Sequence, residues 1–215
     1  MNRYLTWIVT LLAASSGLAQ SPAAAVVIAH ASVVDVVNGR VLPDMAVVIG
    51  ERRIISVGRA ARARPPRHAK IVDARGKYLI PGLCDMHAHM FSSDRKDIWL
   101  PLYVANGVTC VRDMAESMSL DEVKRWRDQI DRGEWLGPHV LGIAGKLLDG
   151  PTARWPPEIA WRVHSAEEAR AIVDDEKGHG VDFIKIYDAL PDEQLAAVFA
   201  EAKKLHMPVV GHLPY

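Results

Sequence analysis

The sequence predicts an α/β chain in which a small β-sandwich-like domain, residues 24–80, precedes part of a TIM-type β/α barrel, residues 81–215. Three observations favour this fold class. The first third of the chain holds short β-branched runs separated by turn residues, and the remainder alternates between strand-like and helix-like segments. Histidines and a lysine stand at the ends of several later strands, where a barrel gathers its functional side chains. About five of the eight barrel strands are predicted.

The β domain is predicted from hydrophobic runs that end at turns. Asn38-Gly39 is a strong hairpin signal, because both residues tolerate positive φ angles. A second turn is expected at Gly50-Glu51. The predicted strands are residues 33–37, 46–49, 53–57, 71–73 and 78–80.

The barrel part is predicted from strand–helix alternation. Ser119 to Glu122 and Ser165 to Glu168 have the spacing of capping boxes that open helices, and Pro191 suits a first helical turn. Residues 98–105 also have a helical pattern. Residues 146–164 are predicted to form a long loop. The predicted strands are residues 83–87, 108–112, 140–144, 181–187 and 207–212.

Composition and charge narrow the function classes. The 215 residues are 49% hydrophobic, and 26 basic side chains balance 26 acidic ones. A net charge of zero provides no electrostatic basis for nucleic-acid binding, and the basic run at residues 59–70 is best interpreted as a solvated loop. Cys84 and Cys110 are too few for a disulfide scaffold, so two buried free thiols or one bridge between them both remain open.

The N-terminus is typical of an export signal. Arg3 precedes an apolar stretch at residues 4–14 that is too short to span a bilayer, and small residues at Gly17 and Ala19 favour cleavage after Ala19. We therefore expect a signal peptide at residues 1–19, an exported protein that is periplasmic or secreted, and no later membrane span. An uncleaved N-terminal anchor is the alternative interpretation.

His87-Ala88-His89 follows a predicted strand, where residues two apart point to the same face. Two imidazoles on one face can share a zinc ion at about 2.0–2.1 Å per nitrogen. Taken alone, however, a His-x-His sequence is more often a pair of surface histidines. The context of the pair therefore decides its interpretation.

That context resembles the amidohydrolase superfamily, and within it the imidazolonepropionase-like and dipeptidase-like members. The residues that carry the resemblance are Ile80-Pro81-Gly82-Leu83-Cys84-Asp85-Met86-His87-Ala88-His89 and the segments 107–113, 148–151, 181–187 and 209–214. The family also places a small β domain before this motif. The resemblance runs from about Val33 to the end of the chain.

The resemblance implies a role for each matching residue. His87 and His89 match the two ligands of the first metal, Lys185 matches a lysine that is carboxylated in many members and bridges two metals, and His212 matches a ligand of the second metal. The implied cofactor is one or two divalent ions, which we expect to be zinc. The family's strand-six histidine and strand-eight aspartate have no counterpart, which predicts a chain truncated at its C-terminus.

Physical arguments support two of these residues independently. Lys185 lies between Phe183-Ile184 and Ile186-Tyr187, and a buried ammonium either lowers its pKa or finds a partner. A neutral amine can react with CO2, whereas a salt-bridged lysine is the alternative. His212 ends an apolar strand and is better interpreted as a ligand than as a satisfied polar residue.

For several other residues the sequence does not decide between a functional and a structural role. Arg112 and Asp113 end the second barrel strand, so they could contact substrate or form structural ion pairs. Trp155 and Tyr187 could line a pocket or belong to the core. The remaining histidines, of which His139 is the least certain, are interpreted as surface or structural residues.

The sequence thus predicts a metal-dependent hydrolase that opens carbon–nitrogen bonds of amides, cyclic amides or dipeptide-like small molecules through a metal-activated water. Ligands from strands one, four and five can meet in a barrel but not easily in a doubly wound sheet. No glycine-rich phosphate loop and no Gly-x-Ser-x-Gly elbow offers another chemistry. The rival hypothesis is a catalytically incomplete fragment of such an enzyme. Lys185 is the candidate catalytic residue.

The export hypothesis predicts the N-terminus of the mature protein. Arg3 and the apolar residues 4–14 should direct export, and cleavage after Ala19 should leave Gln20 as the first residue. Mass spectrometry of the mature protein checks this. Recovery of intact Met1 from the soluble cytoplasmic fraction would contradict it.

Overall fold

The computed structural model describes residues 25–91, 95–115 and 118–213. The predicted signal peptide lies outside these residues. The chain divides into two compact units, Met1–Pro81 and Gly82–Tyr215. Over the described residues, no helix is long and apolar enough to cross a membrane.

The first unit is a mixed five-stranded sheet in the order β3-β2-β1-β4, with β5 also paired to β1. β1 and β2 form an antiparallel hairpin, whereas β4 and β5 run parallel to β1. Val27, Ala46 and Val48 form its small core. A short 3₁₀ helix, Ala60–Arg62, follows β3. The strands are β1 (Val26–Asp35), β2 (Arg40–Gly50), β3 (Arg53–Arg59), β4 (Lys70–Asp73) and β5 (Tyr78–Leu79).

The expected hairpin at Asn38-Gly39 is present, but its first strand ends earlier than predicted. Residues 36 and 37 belong to the turn. The Asp35 carboxylate accepts the backbone N–H of Asn38 at 3.1 Å and its side-chain amide at 2.8 Å. These local hydrogen bonds compete with strand pairing, which is why the turn begins after Asp35.

The second unit is a parallel sheet in the order β11-β10-β8-β7-β6, with the short strand β9 paired to the end of β8. This is the predicted half of a TIM-type barrel with five main strands. Its strands are β6 (Leu83–Ala88), β7 (Val108–Asp113), β8 (His139–Asp149), β9 (Ala160–Arg162), β10 (Phe183–Ile186) and β11 (Val209–Gly211). Its helices are α1 (Lys96–Ala105), α2 (Leu120–Asp131), α3 (Ala166–His179) and α4 (Asp192–Lys204).

The helix-start signals are confirmed to different degrees. At α3 the Ser165 hydroxyl accepts the Glu168 N–H at 3.1 Å, and the Glu168 carboxylate accepts the His164 N–H at 2.7 Å. At α2 the side chain of Ser119 caps no N–H group, so the expected capping box is only a helix start there. Pro191 is the residue before α4 rather than part of its first turn.

The predicted long loop at residues 146–164 is wrong in part. β8 continues to Asp149, and β9 lies within the predicted loop. Leu147 and Leu148 are buried, so extending the strand removes both side chains from water. Leu147 and Leu148 pair with Ala160 and Trp161 of β9 beyond the point where β7 ends.

Cys84 and Cys110 form a disulfide between β6 and β7, which resolves the alternative that the sequence left open. Their Cα atoms are 4.6 Å apart, and the two residues are direct partners in the parallel register. This separation lies within the usual range for a bridged pair. The bond therefore joins two neighbouring strands of the barrel sheet.

A buried carboxylate fastens α3 to the sheet. Glu176 is 6% exposed and accepts the Trp161 indole N–H at 2.8 Å and the Lys146 backbone N–H at 3.1 Å. Gly145 makes room for it, because a Cβ there would lie 1.4 Å from a Glu176 carboxylate oxygen. Burial raises the pKa of Glu176, and the two hydrogen bonds only partly oppose that shift.

This arrangement predicts how stability responds at position 176. A pKa raised in the folded state means that the charged carboxylate costs stability once the pH rises above the unfolded pKa. Glu176→Gln keeps an acceptor for Trp161 and Lys146 without the charge, so it should increase the free energy of unfolding at pH 7. That gain should shrink as the pH falls toward 4, as measured by urea unfolding.

Glu176→Ala is the matched control for this prediction. It leaves the two donors on Trp161 and Lys146 without their acceptor and should lower the free energy of unfolding by about 1–3 kcal/mol. A glutamine variant as unstable as the alanine variant would contradict the proposed cost of the charge.

Candidate metal centre

The candidate ligands stand at one edge of the half-barrel. His87 lies near the end of β6, and Lys185 lies in β10. His89 and His212 directly follow the ends of β6 and β11. Because parallel strands share one carboxyl edge, the four side chains are carried toward the same mouth of the sheet.

Lys185 is the buried member of the group. Its side chain is 1% exposed, and its Nζ lies 3.5 Å from His87 Nε2. Burial and, to a lesser extent, the nearby Arg112 guanidinium lower the pKa of Lys185 to about 8, while Asp188 acts in the opposite direction. Near neutral pH the ammonium still predominates, but the neutral amine is far more populated than for a lysine in water.

His87 is also biased toward its neutral form. Its pKa is lowered by burial first, and then by the positive charges of Lys185 and the neighbouring histidines. A neutral imidazole keeps a nitrogen lone pair, which is the form that binds a metal ion. The local electrostatics thus make it easier for His87 and Lys185 to give up a proton and expose a nitrogen lone pair.

The tautomer of His89 follows from its partner. His89 Nδ1 lies 2.8 Å from the carbonyl oxygen of Ala115. A carbonyl only accepts hydrogen bonds, so Nδ1 carries the proton and the lone pair is left on Nε2. Ala115 holds this carbonyl in place with a positive φ of 87°, an uncommon conformation for a residue with a side chain. The hydrogen bond fixes the orientation of the ring, as hydrogen bonds to the non-coordinating nitrogen commonly do for histidine ligands of metals.

His212 is positioned by the glycine before it. Gly211 has a φ of +147°, and a Cβ there would lie 2.0 Å from the Ile186 carbonyl oxygen. That same oxygen accepts the His212 N–H at 3.2 Å. The His212 ring lies 4.4 Å from the Tyr187 ring, centroid to centroid, and Trp155 meets Tyr187 edge-on at 5.5 Å.

The spacing of the rings fits a shared ion. The His87 ring centroid is 5.5 Å from that of His89 and 5.5 Å from that of His212. Two imidazoles on one tetrahedral zinc, each with a nitrogen at about 2.0–2.1 Å, place their centroids roughly 5 Å apart. Within the described part of the chain, no three His, Cys, Asp or Glu side chains are grouped closely enough to hold an ion. The described groups nearest the His87 ring are His89, His212 and the Lys185 amine.

The other open residues have clear positions. Asp113 is fully buried and accepts the Met90 N–H at 3.3 Å, which indicates a structural role. Arg112 donates from Nε to the Met86 carbonyl at 2.8 Å instead of forming an ion pair with a described residue. His139 pairs with Asp131 at 2.8 Å, in agreement with a structural role.

A cavity of about 570 Å³ adjoins the candidate centre, with Tyr187 as the shared wall. Asp149 joins its two loops, because one carboxylate oxygen accepts the N–H groups of Gly150 and Ala189. No role for Asp149 was predicted, although Asp-Gly-Pro after an apolar strand marks such a loop. The cavity is lined by Asp149, Thr152, Ala153, Arg154, Trp155, Tyr187, Asp188 and Ala189.

The close approach at Gly211 predicts a site-specific loss of stability. Gly211→Ala adds a Cβ that overlaps the Ile186 carbonyl and forces a residue with a side chain to adopt positive φ. The free energy of unfolding should fall by at least about 1–3 kcal/mol in urea titrations. Gly178→Ala is the matched control, because a Cβ at Gly178 in α3 has no described atom within 4 Å. It should raise stability by up to about 1 kcal/mol, and equal losses for both variants would contradict the prediction.

The chain is similar to known proteins in sequence and in fold. The chain is 39% identical over 140 residues to adenine deaminase 3 of Rhizobium meliloti, which covers 61% of this chain and 19% of that relative. It is 44% identical over 147 residues to the adenine deaminase of Moorella thermoacetica, covering 62% of this chain and 24% of the relative. The chain thus spans about a quarter or less of the length of these relatives. No protein-family profile matches it.

Among solved structures, a protein described as a prolidase from Bifidobacterium longum matches 90% of this chain and 50% of its own, with a TM-score of 0.76 and 30% identity. A Xaa-Pro dipeptidase with bound methionine matches with a TM-score of 0.70 and 22% identity, over 88% of this chain and 57% of its own. The second similarity is one of fold. Together with the deaminase relatives, the 30% identical prolidase structure supports the amidohydrolase superfamily as the family of this chain.

Proposed function

We propose that this chain forms the metal-binding half of a hydrolase that opens carbon–nitrogen bonds. The observation that carries the proposal is the convergence of His87, His89, Lys185 and His212 at one edge of a parallel sheet. The similarity to the amidohydrolase superfamily and the names of the relatives support the same chemistry. No serine or cysteine nucleophile is required for it.

In this proposal His87 and His89 hold the first divalent ion, and His212 holds a second with Lys185 shared between them. We propose zinc as the metal, since imidazole nitrogen is among its preferred donors. When bound, the metal supplies the Lewis acidity that makes water nucleophilic at neutral pH and polarises the scissile bond. The neutral forms of His87 and Lys185, favoured by their lowered pKa values, are the forms that accept a cation.

The role proposed for Lys185 is a carboxylated side chain. The neutral amine attacks the carbon of CO2, an N–C bond forms, and the nitrogen releases a proton to solvent. A buried ammonium is thereby replaced by an anion with two oxygen donors. The burial of Lys185 and its pKa of about 8 favour this reaction, because the uncharged amine is the reactive form.

The substrate is a small molecule in this proposal, and the cavity beside His212 is the place we assign to it. Amides, cyclic amides and dipeptides are the preferred class, in keeping with the prolidase-like and dipeptidase-like fold relatives. Deamination of a nucleobase is the second candidate, and the sequence similarity to two adenine deaminases favours it. Both reactions break a carbon–nitrogen bond. We also propose export of the protein, on the basis of residues 3–19 alone.

The rival proposal is that these 215 residues are a catalytically incomplete part of the enzyme. In the described sheet, β6 and β11 each have one free edge. Leu83, Met86 and Leu141 are 44–50% exposed. Such edges and apolar side chains favour aggregation when nothing covers them.

The two proposals combine in one prediction. The 215 residues expressed alone should be poorly soluble and inactive on amides or dipeptides with added zinc, because an unfinished barrel does not preorganise its ligands. A longer polypeptide that adds the remaining barrel strands should be active and should lose that activity on His87→Ala. Robust metal-dependent turnover by the 215 residues would contradict the incomplete-fragment proposal.

His139→Ala is the matched control in the longer polypeptide, because His139 pairs with Asp131 away from the candidate centre. It should retain activity. The products separate the two substrate classes: a dipeptide releases a free amino acid, whereas adenine releases ammonia. Equal losses in the His87 and His139 variants would remove the argument for a metal centre at His87.

A further inference from the structure

We infer that Arg112 and Asp85 are positioning residues that hold His87 in a β-bulge, so that its ring faces Lys185. Only the use of the His87 ring as a metal ligand rests on the proposed function. Its geometric basis is independent of any metal. Neither residue is among the candidate ligands.

The pairing register between β6 and β7 contains the bulge. Asp85 pairs with Val111, and the next registered pair is Ala88 with Asp113. β6 therefore advances by three residues where β7 advances by two. Met86 and His87 together lie opposite Arg112, which is the count of a bulge with one extra residue. Bulges of this kind redirect side chains and are frequent next to active sites.

A bulge removes backbone groups from the ladder, and here two side chains replace the lost partners. Arg112 Nε donates to the Met86 carbonyl oxygen at 2.8 Å. The Asp85 carboxylate accepts the His87 N–H at 3.0 Å. The carbonyl and the N–H of the single Met86–His87 peptide group are thus hydrogen-bonded by β7 and by β6 itself. Without these two bonds, this peptide group would lose the side-chain partners that replace the strand ladder at the bulge.

Arg112 is itself fixed from the opposite side. Its guanidinium carbon lies 5.5 Å from the centroid of the Phe183 ring on β10, within the range of a cation–π contact. Arg112 therefore connects the bulge of β6 to the strand that carries Lys185. His87 Nε2 of β6 and Lys185 Nζ of β10 also lie 3.5 Å apart. Arg112 and Asp85 together determine where the His87 ring can point.

The test measures cobalt binding by the protein in its natural length, with Co²⁺ as the probe. Arg112→Met removes the donor to Met86 and keeps a long apolar side chain. It should weaken Co²⁺ binding by about 10- to 100-fold, as is usual when a residue that orients a metal ligand is changed. It should also alter the visible ligand-field spectrum. Arg112→Lys retains a donor and should lose less affinity than Arg112→Met. Asp85→Asn keeps an acceptor and should bind Co²⁺ more tightly than Asp85→Ala.

Arg127→Met is the matched control, because Arg127 pairs with Asp182 at 2.7 Å on the outer side of the sheet. It should lower the melting temperature yet leave the Co²⁺ affinity and spectrum unchanged. If Arg112→Met also leaves both unchanged while His87→Ala abolishes binding, the positioning role is overturned and the metal centre stands. If His87→Ala binds Co²⁺ as the unmodified protein does, the proposed function itself fails.

Discussion

The burial of Lys185 within a parallel sheet is the constraint on which the rest of the site depends. Its side chain is 1% exposed, and an ammonium in such a place loses most of its hydration. Among the described residues, no carboxylate forms a salt bridge with Nζ, which instead lies 3.5 Å from His87 Nε2. The outcome is a lowered pKa for both residues. The lowered pKa values make Lys185 and His87 easier to deprotonate than they would be in water, which favours the binding of a cation.

The β6–β7 pair provides the rigid part of this arrangement. Its two strands are joined by the Cys84–Cys110 disulfide near their start and by the hydrogen bond from Arg112 to Met86 at the bulge. The hydrogen bond between His89 and Ala115 joins them again beyond the strand ends. One disulfide and two hydrogen bonds therefore fix the segment that carries two candidate ligands. His212, by contrast, follows the edge strand β11, where Gly211 and the Ile186 carbonyl supply its restraint.

Local patterns predicted the fold class because strand alternation, turns and helix starts are short-range properties. The candidate ligands were assigned mainly through the resemblance to the amidohydrolase superfamily, with support from the apolar residues around Lys185 and before His212. The bulge at Met86–His87 was missed because it depends on the register between two strands that are more than 20 residues apart. Arg112 stayed open for a related reason: its partner is a backbone carbonyl, which has no signature in the sequence. The need for glycine at position 211 arises from the Ile186 carbonyl beside it, a contact that the sequence does not show.

The incorrectly predicted loop also bears on function. Because β8 continues to Asp149, the loop that follows starts at the same edge as the candidate ligands. Asp149 then accepts N–H groups from both its own loop and the loop after β10, so the two cavity walls are joined at their base. This construction separates two tasks within the chain. The strands carry the candidate ligands, while Trp155 and Tyr187 on the joined loops form a wall of the adjoining cavity. Under the proposed function, the loops rather than the sheet would determine which carbon–nitrogen compound is accepted.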